Sequence, residues 1–145
     1  MRGAGRIDAV GPDTVEIRVP AVPENLALAR LALAGGGMAA GASDSVVADL
    51  KLAVTEAATN SILHGYAEGT PGELVVRYRV QPGTIEVEVE DDGAGFEPGT
   101  PSRPRNGVEN QGMGLMLIGT LTDSLEIESD DSGSRVSFRK RLDPR

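Results

Sequence analysis

The sequence predicts an α+β fold, a two-layer sandwich in which helices cover one face of a mixed, mostly antiparallel sheet. About five segments alternate apolar and polar residues, which is the period-two pattern of half-buried strands. Two or three further segments carry apolar residues at helical spacing. A tight turn joins the two middle strands where a doubly wound fold would need a crossover helix, so a doubly wound parallel sheet is disfavoured.

The first strand and the first helix are predicted near the N-terminus. Residues 14–19 alternate β-branched and charged side chains, and Pro20 is expected to end the strand. Residues 23–34 place leucine and alanine at helical spacing. The three glycines at 35–37 are expected to stop this helix.

A second, longer helix is predicted in the middle of the chain. Its apolar residues recur at three- and four-residue intervals, and either Ser43 or Ser45 can cap its first turn. The helix is predicted to run to about His64, with Gly65 as its natural stop.

The rest of the chain is predicted to be mostly strand. Segments 73–80 and 84–90 flank a Gln-Pro-Gly turn and predict an antiparallel hairpin. Glycine, proline and polar residues dominate 93–112, which predicts a mobile loop. The remaining predicted elements are a helix at 113–122 and strands at 125–128 and 135–139.

Composition narrows the class of protein. The 145 residues fit a single domain with flexible ends at about 1–12 and 143–145. A net charge of −8 opposes binding to nucleic acids and anionic membranes. The absence of cysteine excludes disulfides, thiolate catalysis and cysteine-ligated zinc. Residues 1–10 contain no apolar run of signal-peptide length, and the apolar stretch at 26–38 is too short to span a membrane, so a soluble cytoplasmic protein is expected.

Glu56, Asn60 and His64 form a polar row on the second predicted helix. They are four residues apart, so each is displaced by only about 40° around the helix. Ala53 and Ala57 lie beside the row on the helical wheel, which places the carboxylate and the amide at the edge of the core. Polar groups there need a partner, which is either a ligand or nearby backbone.

An acidic turn with two glycines follows the second strand of the hairpin. Asp91 ends the strand, and Gly93 and Gly95 lack side chains that would block a ligand. A carboxylate in this position can accept a hydrogen bond from a purine amino group. Taken alone, the pattern is more typical of an ordinary Asp-Gly turn.

Gly112 and Gly114 open the predicted helix that follows the loop. A glycine-rich helix N-terminus exposes unpaired N–H groups and the positive end of the helix dipole, which favours phosphate. The dinucleotide fingerprint is rejected because these glycines follow a long loop and no strand-helix-strand unit encloses them.

Taken in order, the motifs ExxxN, DxGxG and GxGL resemble those of the GHKL ATPase superfamily, whose domain has the Bergerat fold. The resemblance spans residues 14–142, and Asn60 to Tyr66 with the small size is most similar to anti-sigma-factor serine/threonine kinases. It implies an ATP- and Mg²⁺-dependent kinase that phosphorylates a STAS-domain anti-anti-sigma protein and binds a sigma factor. A homodimer is also implied, whereas a two-component histidine kinase is disfavoured because no separate dimerisation helix with a phosphoacceptor histidine is present.

The resemblance implies a role for each matching residue. Glu56 would be the general base, and Asn60 would hold Mg²⁺. Asp91 would bind the adenine amino group beside Gly93 and Gly95. The remaining implied nucleotide contacts are Gly112 and Gly114 at the phosphates and Ser134 in a closing glycine box, with 96–111 as the ATP lid.

One departure from the family pattern concerns an arginine. Related kinases often carry one just before the GxGL glycines, where this chain has Glu109, Asn110 and Gln111. Arg103 and Arg105, earlier in the loop, are the cations available in its place. Without such a cation, phosphotransfer would be slow or lost while ATP binding survives. The alternative is therefore a catalytically weak or inactive ATP-sensing interaction module.

Overall fold

The computed structural model describes residues 7, 13–65, 72–93, 111–130 and 133–143 of the chain. In chain order the elements are β1 (Thr14–Pro20), a 3-10 turn (Pro23–Asn25), α1 (Leu26–Ala39), α2 (Asp44–Gly65), β2 (Glu73–Gln81), β3 (Thr84–Asp91), α3 (Gln111–Leu121), β4 (Ser124–Asp130) and β5 (Gly133–Arg141).

The five strands form one sheet in the order β1-β2-β3-β5-β4. All four pairings are antiparallel. The described sheet is therefore fully antiparallel, whereas a mixed, mostly antiparallel sheet was expected. The predicted hairpin is confirmed, since Gln81 pairs with Thr84 across a turn in which Gly83 has a φ of 78°. The predicted α+β sandwich is confirmed as well.

The core lies between one face of the sheet and the helices. On β3, Val87 and Val89 are buried on this helix-facing side, and Val76 and Val136 lie beside Val89 in register. Contacts join α2 to β3 and β5, and both α1 and α3 pack against α2. The long helix α2 is therefore in contact with the sheet, at β3 and β5, and with both other helices, α1 and α3.

The predicted end of α1 is wrong, because the helix continues through Gly35, Gly36 and Gly37 to Ala39. A Cβ on Gly36 would lie 2.5 Å from Cζ of Tyr78, so this glycine lets the helix approach the sheet closely. The actual stop is Gly41, with a φ of 86°. A Schellman motif forms there, in which the N–H of Ala42 donates to the carbonyl of Gly37 at 2.9 Å.

The start of α2 follows the prediction. Ser43 precedes the helix, and its hydroxyl oxygen accepts a hydrogen bond from the Val46 N–H at 3.2 Å. This is the N-cap arrangement, which satisfies one of the unpaired amides of the first turn. The helix is described as far as Gly65, so the residue that would follow its predicted stop lies outside the described part.

The outer face of the sheet is the one turned away from the helices. It carries a row of hydrogen-bonded charged side chains, here called the ladder. Arg77 donates hydrogen bonds to Glu16 at 2.7 Å, to Glu90 at 2.7 Å and to Glu88 at 3.2 Å. Glu88 is completely buried, and one of its oxygens accepts a hydrogen bond from the N–H of Ile7 at 2.8 Å. Ile7 is itself buried, so the expectation of a flexible end at 1–12 does not hold at Ile7.

Ionisation in this ladder follows the hydrogen bonds. The Arg77 guanidinium, and then that of Arg18, lower the pKa of Glu16 by hydrogen bonding to its charged form. Burial works against the charged form of Arg77, yet its bonds to Glu90 and Glu16 leave its pKa raised. Glu16 and Arg77 are therefore both charged at neutral pH.

Among the residues that the structure describes, no helix is both long and apolar enough to cross a bilayer.

Candidate nucleotide site

Glu56 and Asn60 lie one turn apart on α2, at the edge of the core. Their neighbours Ala53 and Ala57 are fully buried, Asn60 is 6% exposed and Glu56 is half-buried. The amide nitrogen of Asn60 is buried without a hydrogen-bond partner in the described part of the chain. An unpaired buried amide costs free energy unless a ligand or water satisfies it, so this side chain is suited to hold one.

Asp91 ends β3 on the helix-facing side, where it is 6% exposed and in register with Ser134 of β5. The Gly93 N–H donates to one carboxylate oxygen at 2.8 Å, and the Ser134 hydroxyl donates to the other at 2.5 Å. Each oxygen is held by one donor and keeps lone-pair capacity for another. The carboxylate is thus fixed in orientation and still able to accept a hydrogen bond.

Gly133, the glycine of the closing glycine box, lies very close to Asp91, which the sequence did not predict. Its φ is 147°, and a Cβ there would lie 2.1 Å from the backbone oxygen of Asp91. Only glycine allows β5 to begin this close to Asp91. The signal in the sequence is the glycine placed directly before Ser134.

The first turn of α3 contains both glycines of the GxGL motif, because the helix begins at Gln111. Its first amides lack partners within the helix and present the positive end of the helix dipole. A Cβ on Gly114 would lie 2.7 Å from Oε1 of Glu56. The structure therefore brings the carboxylate of α2 against the first turn of α3.

Several residues named from the sequence lie outside the described residues. They include Gly95, Arg103 and Arg105, with all of the predicted lid except Gln111, whose backbone begins α3. His64 belongs to α2, but its side chain is likewise outside the description.

Asn60 is the described residue that best fits a nucleotide-bound metal ion. No cluster of three or more His, Cys, Asp or Glu side chains suited to a metal occurs in the described ranges. Mg²⁺ bound with a nucleotide needs few protein ligands, because phosphates and waters supply most of its oxygens. The amide of Asn60, free of competing protein hydrogen bonds at its nitrogen, can turn its oxygen to such an ion.

Comparison with protein families gives one extended match. The family described as a histidine kinase-like ATPase domain matches residues 19–140. The matched range includes all the described candidate residues, from Glu56 on α2 to Ser134 on β5.

Curated relatives match over most of their length. Serine-protein kinase RsbW of Bacillus velezensis and that of Bacillus subtilis are each 36% identical over 139 residues, which covers 90% of this chain and 86% of theirs. Serine-protein kinase RsbW of Listeria innocua is 36% identical over 133 residues, covering 86% of this chain and 85% of its own.

Solved structures share the fold. The crystal structure of the RsbU and RsbW domains of a Mycobacterium tuberculosis protein aligns with a TM-score of 0.69 and 23% identity over 89% of this chain. This chain spans about a third of that longer one, 32%. The histidine kinase domain of an Erythrobacter litoralis blue-light activated kinase aligns with a TM-score of 0.55 and 19% identity, over 92% of this chain and 70% of that chain.

Proposed function

Because the chain belongs to the histidine kinase-like ATPase family, we propose that it is an ATP-dependent serine/threonine protein kinase that acts as an anti-sigma factor. Its substrate is a serine or threonine of a STAS-domain anti-anti-sigma protein. The observation that carries the proposal is the 36% identity to serine-protein kinases over 90% of the chain. The contact between Glu56 and the first turn of α3 supports it, because it places a carboxylate beside a predicted phosphate site.

Adenine recognition falls to Asp91. One of its oxygens accepts a hydrogen bond from the adenine amino group, while the Gly93 N–H and the Ser134 hydroxyl keep the carboxylate in position. Gly93 and Gly95 leave room for the base, and Gly112 and Gly114 bring backbone amides near the phosphates. Arg103 and Arg105 are proposed to reach the phosphates from the lid.

Asn60 holds Mg²⁺ in this proposal through its amide oxygen. Mg²⁺ held there would supply positive charge to stabilise the negative charge that develops during phosphoryl transfer. The amide nitrogen is buried without a partner among the described residues, so no described hydrogen bond at that atom fixes the orientation of the amide.

Glu56 is the general base. Its carboxylate accepts the proton of the attacking hydroxyl as the bond from that oxygen to the γ-phosphorus forms. The bond from the γ-phosphorus to the bridging oxygen breaks, and ADP leaves with the electron pair. One turn separates Glu56 from Asn60, so the base and the metal ligand act on the same phosphoryl group from one helix face.

The partners in the proposal are separate proteins. They are a sigma factor, which the protein sequesters, and the STAS-domain protein, which it phosphorylates. A cytoplasmic location is part of this proposal. A homodimer is included in the proposal on the family resemblance alone.

A second candidate function is an ATP-sensing interaction module without kinase activity. Glu109, Asn110 and Gln111 stand where related kinases often have an arginine, and this departure favours it. Removing a cation from a phosphoryl-transfer site weakens stabilisation of the transition state more than it weakens nucleotide binding. The two functions therefore differ in product and agree in ATP binding.

Phosphate transfer is the experiment that separates them. The purified chain is incubated with Mg²⁺, γ-labelled ATP and a purified STAS-domain protein, and phosphoserine or phosphothreonine is located by mass spectrometry. A stoichiometric phosphoprotein product is expected. Tight ATP binding without that product would establish the sensing module, and no ATP binding at millimolar nucleotide would contradict both functions.

Ser134→Ala is expected to weaken ATP binding about tenfold, the effect of losing one hydrogen bond to a charged group. Without the 2.5 Å bond from Ser134, the Asp91 carboxylate is free to turn away from the base. Calorimetric titration with ATP measures the change. Ser134→Thr, which keeps the hydroxyl, should bind like the wild type.

Ser137→Ala is the matched control for this change. Ser137 lies on the same strand, but its register partner is Glu88, so it belongs to the outer face. Its removal should leave ATP affinity unchanged. Equal weakening by the two alanine variants would show that β5 acts through general stability and would contradict the role given to Ser134.

A further inference from the structure

Gly114 lies so close to Glu56, the proposed base, that a side chain at position 114 would collide with the carboxylate. A Cβ built on Gly114 lies 2.7 Å from Oε1 of Glu56 and 3.8 Å from its Cδ. The near contact is therefore with the carboxylate itself. Position 119, on the same helix, is different, because a Cβ on Gly119 would make only an ordinary 3.7 Å contact with Leu125.

The conflict that a methyl group would create falls on the end of a flexible side chain. Glu56 is half-buried, and its carboxylate makes no hydrogen bond or ion pair with another described residue that would resist displacement. The backbones of α2 and α3 can stay in place while the carboxylate moves by about an ångström. A substitution at position 114 is thus expected to spare the fold and to shift the base.

We propose that Gly114 is a positioning residue for Glu56: the space left by its missing side chain is where the carboxylate stands during proton abstraction. The first turn of α3 then has two tasks, presenting amides to the phosphates and setting the position of the base. This inference rests on the proposed function of Glu56. It goes beyond that function because it gives Gly114 a role in catalysis that is separate from phosphate binding.

The test is Gly114→Ala, measured by ATP titration and by single-turnover phosphate transfer to the STAS-domain protein. A misplacement of about 1 Å can slow a reaction by about a hundredfold. We expect transfer to slow by about tenfold to a hundredfold, while ATP affinity stays within about threefold. Gly119→Ala, the matched control on the same helix, should transfer at the wild-type rate. A loss of ATP affinity with an unchanged transfer rate would overturn the proposal, as would an unchanged rate and affinity.

A compensating change makes the proposal specific to the contact. Glu56→Asp withdraws the carboxylate from position 114 by one methylene and slows transfer by itself. In the Glu56→Asp background, Gly114→Ala should cost less than about threefold, because the clash is gone. A cost equal to that in the wild-type background would mean that the two residues act independently, and the proposal would be wrong.

Glu56→Gln separates failure of this inference from failure of the proposed function. If Glu56→Gln transfers phosphate as fast as the wild type, Glu56 is not the base and the premise is lost. If Glu56→Gln is slow and Gly114→Ala is as fast as the wild type, only the positioning role of Gly114 is overturned. Thermal unfolding of Gly114→Ala, expected to stay close to that of Gly119→Ala, confirms that both variants fold.

Discussion

Glu56→Gln is expected to slow phosphate transfer by about two to four orders of magnitude, the range that a positioned general base contributes. Glutamine has nearly the same size and shape as glutamate, so it fills the space beside Gly114 without creating a cavity. It cannot accept the proton of the attacking hydroxyl. ATP affinity should change by less than about threefold, because Asp91, Asn60 and the α3 amides are untouched. Rapid-quench single-turnover assays and calorimetric ATP titrations measure the two quantities.

Glu126→Gln is the control for the lost charge. Glu126 is an exposed carboxylate on β4, and it lies opposite Ser137 on the outer face. The same substitution there changes the net charge equally and should leave transfer and binding unaltered. Equal transfer rates for wild type and Glu56→Gln would remove Glu56 as the base. If Glu56→Gln loses ATP affinity to the same extent as transfer rate, Glu56 contributes to binding of ATP in the ground state and not to the chemical step.

Local chemistry made α2 predictable. Its capping serine, its three- and four-residue apolar spacing and its polar row are all properties of a short stretch of chain. The same applies to the β2-β3 hairpin, whose turn carries proline and a glycine with positive φ. Residues close in the sequence determine these elements, so the bounds of α2, β2 and β3 could be predicted to within a few residues.

The glycines at 35–37 show where such reasoning fails. From local sequence alone, glycine predicts the end of a helix. Gly36 nevertheless lies within α1, where the ring of Tyr78, from a distant strand, occupies the space that a side chain at position 36 would need. The meaning of that glycine depends on tertiary packing. Gly114 is a similar case, since its glycine signal predicted a phosphate site but not the contact with Glu56.

The burial of Glu88 on the outer face of the sheet also depends on tertiary packing, so the sequence pattern did not predict it. Alternation in β2 and β3 predicts one buried and one exposed face. Glu88 follows that alternation and is nevertheless fully buried, and the N–H of the buried Ile7, from the N-terminal region, donates to it. A single apolar residue without periodic neighbours gives no signal of where it will pack.

Arg77→Met is expected to lower the free energy of unfolding by about 3–5 kcal/mol at pH 7, the usual cost of removing one partner from a buried ion pair. Methionine keeps the length of the aliphatic stem, so the loss is mainly of charge and hydrogen bonds. Arg77 is 6% exposed and bonds three carboxylates, of which Glu88 is inaccessible to water. Urea unfolding followed by circular dichroism measures the difference.

Arg79→Met isolates the effect of burial. Arg79 lies two residues further along β2 on the same face, and its bridge to Glu86 at 2.5 Å is partly exposed, with 27% of its side chain accessible. A partly exposed pair contributes at most about 1 kcal/mol, so this variant should remain close to the wild type. Similar losses in the two variants would show that the buried position of Arg77 has no special importance.

Acid should narrow the gap between wild type and Arg77→Met. In the wild type, Arg77 lowers the pKa of Glu16 in the folded state. A carboxyl with a lowered folded pKa contributes stability above its unfolded value of 4.5, and the contribution is lost as the pH falls through the folded pKa. Arg77→Met lacks the part of that contribution that comes from Arg77, which is the largest single cause, at every pH. The difference in unfolding free energy should therefore be largest near pH 7 and shrink below pH 4.5, whereas a purely steric effect of methionine would be independent of pH.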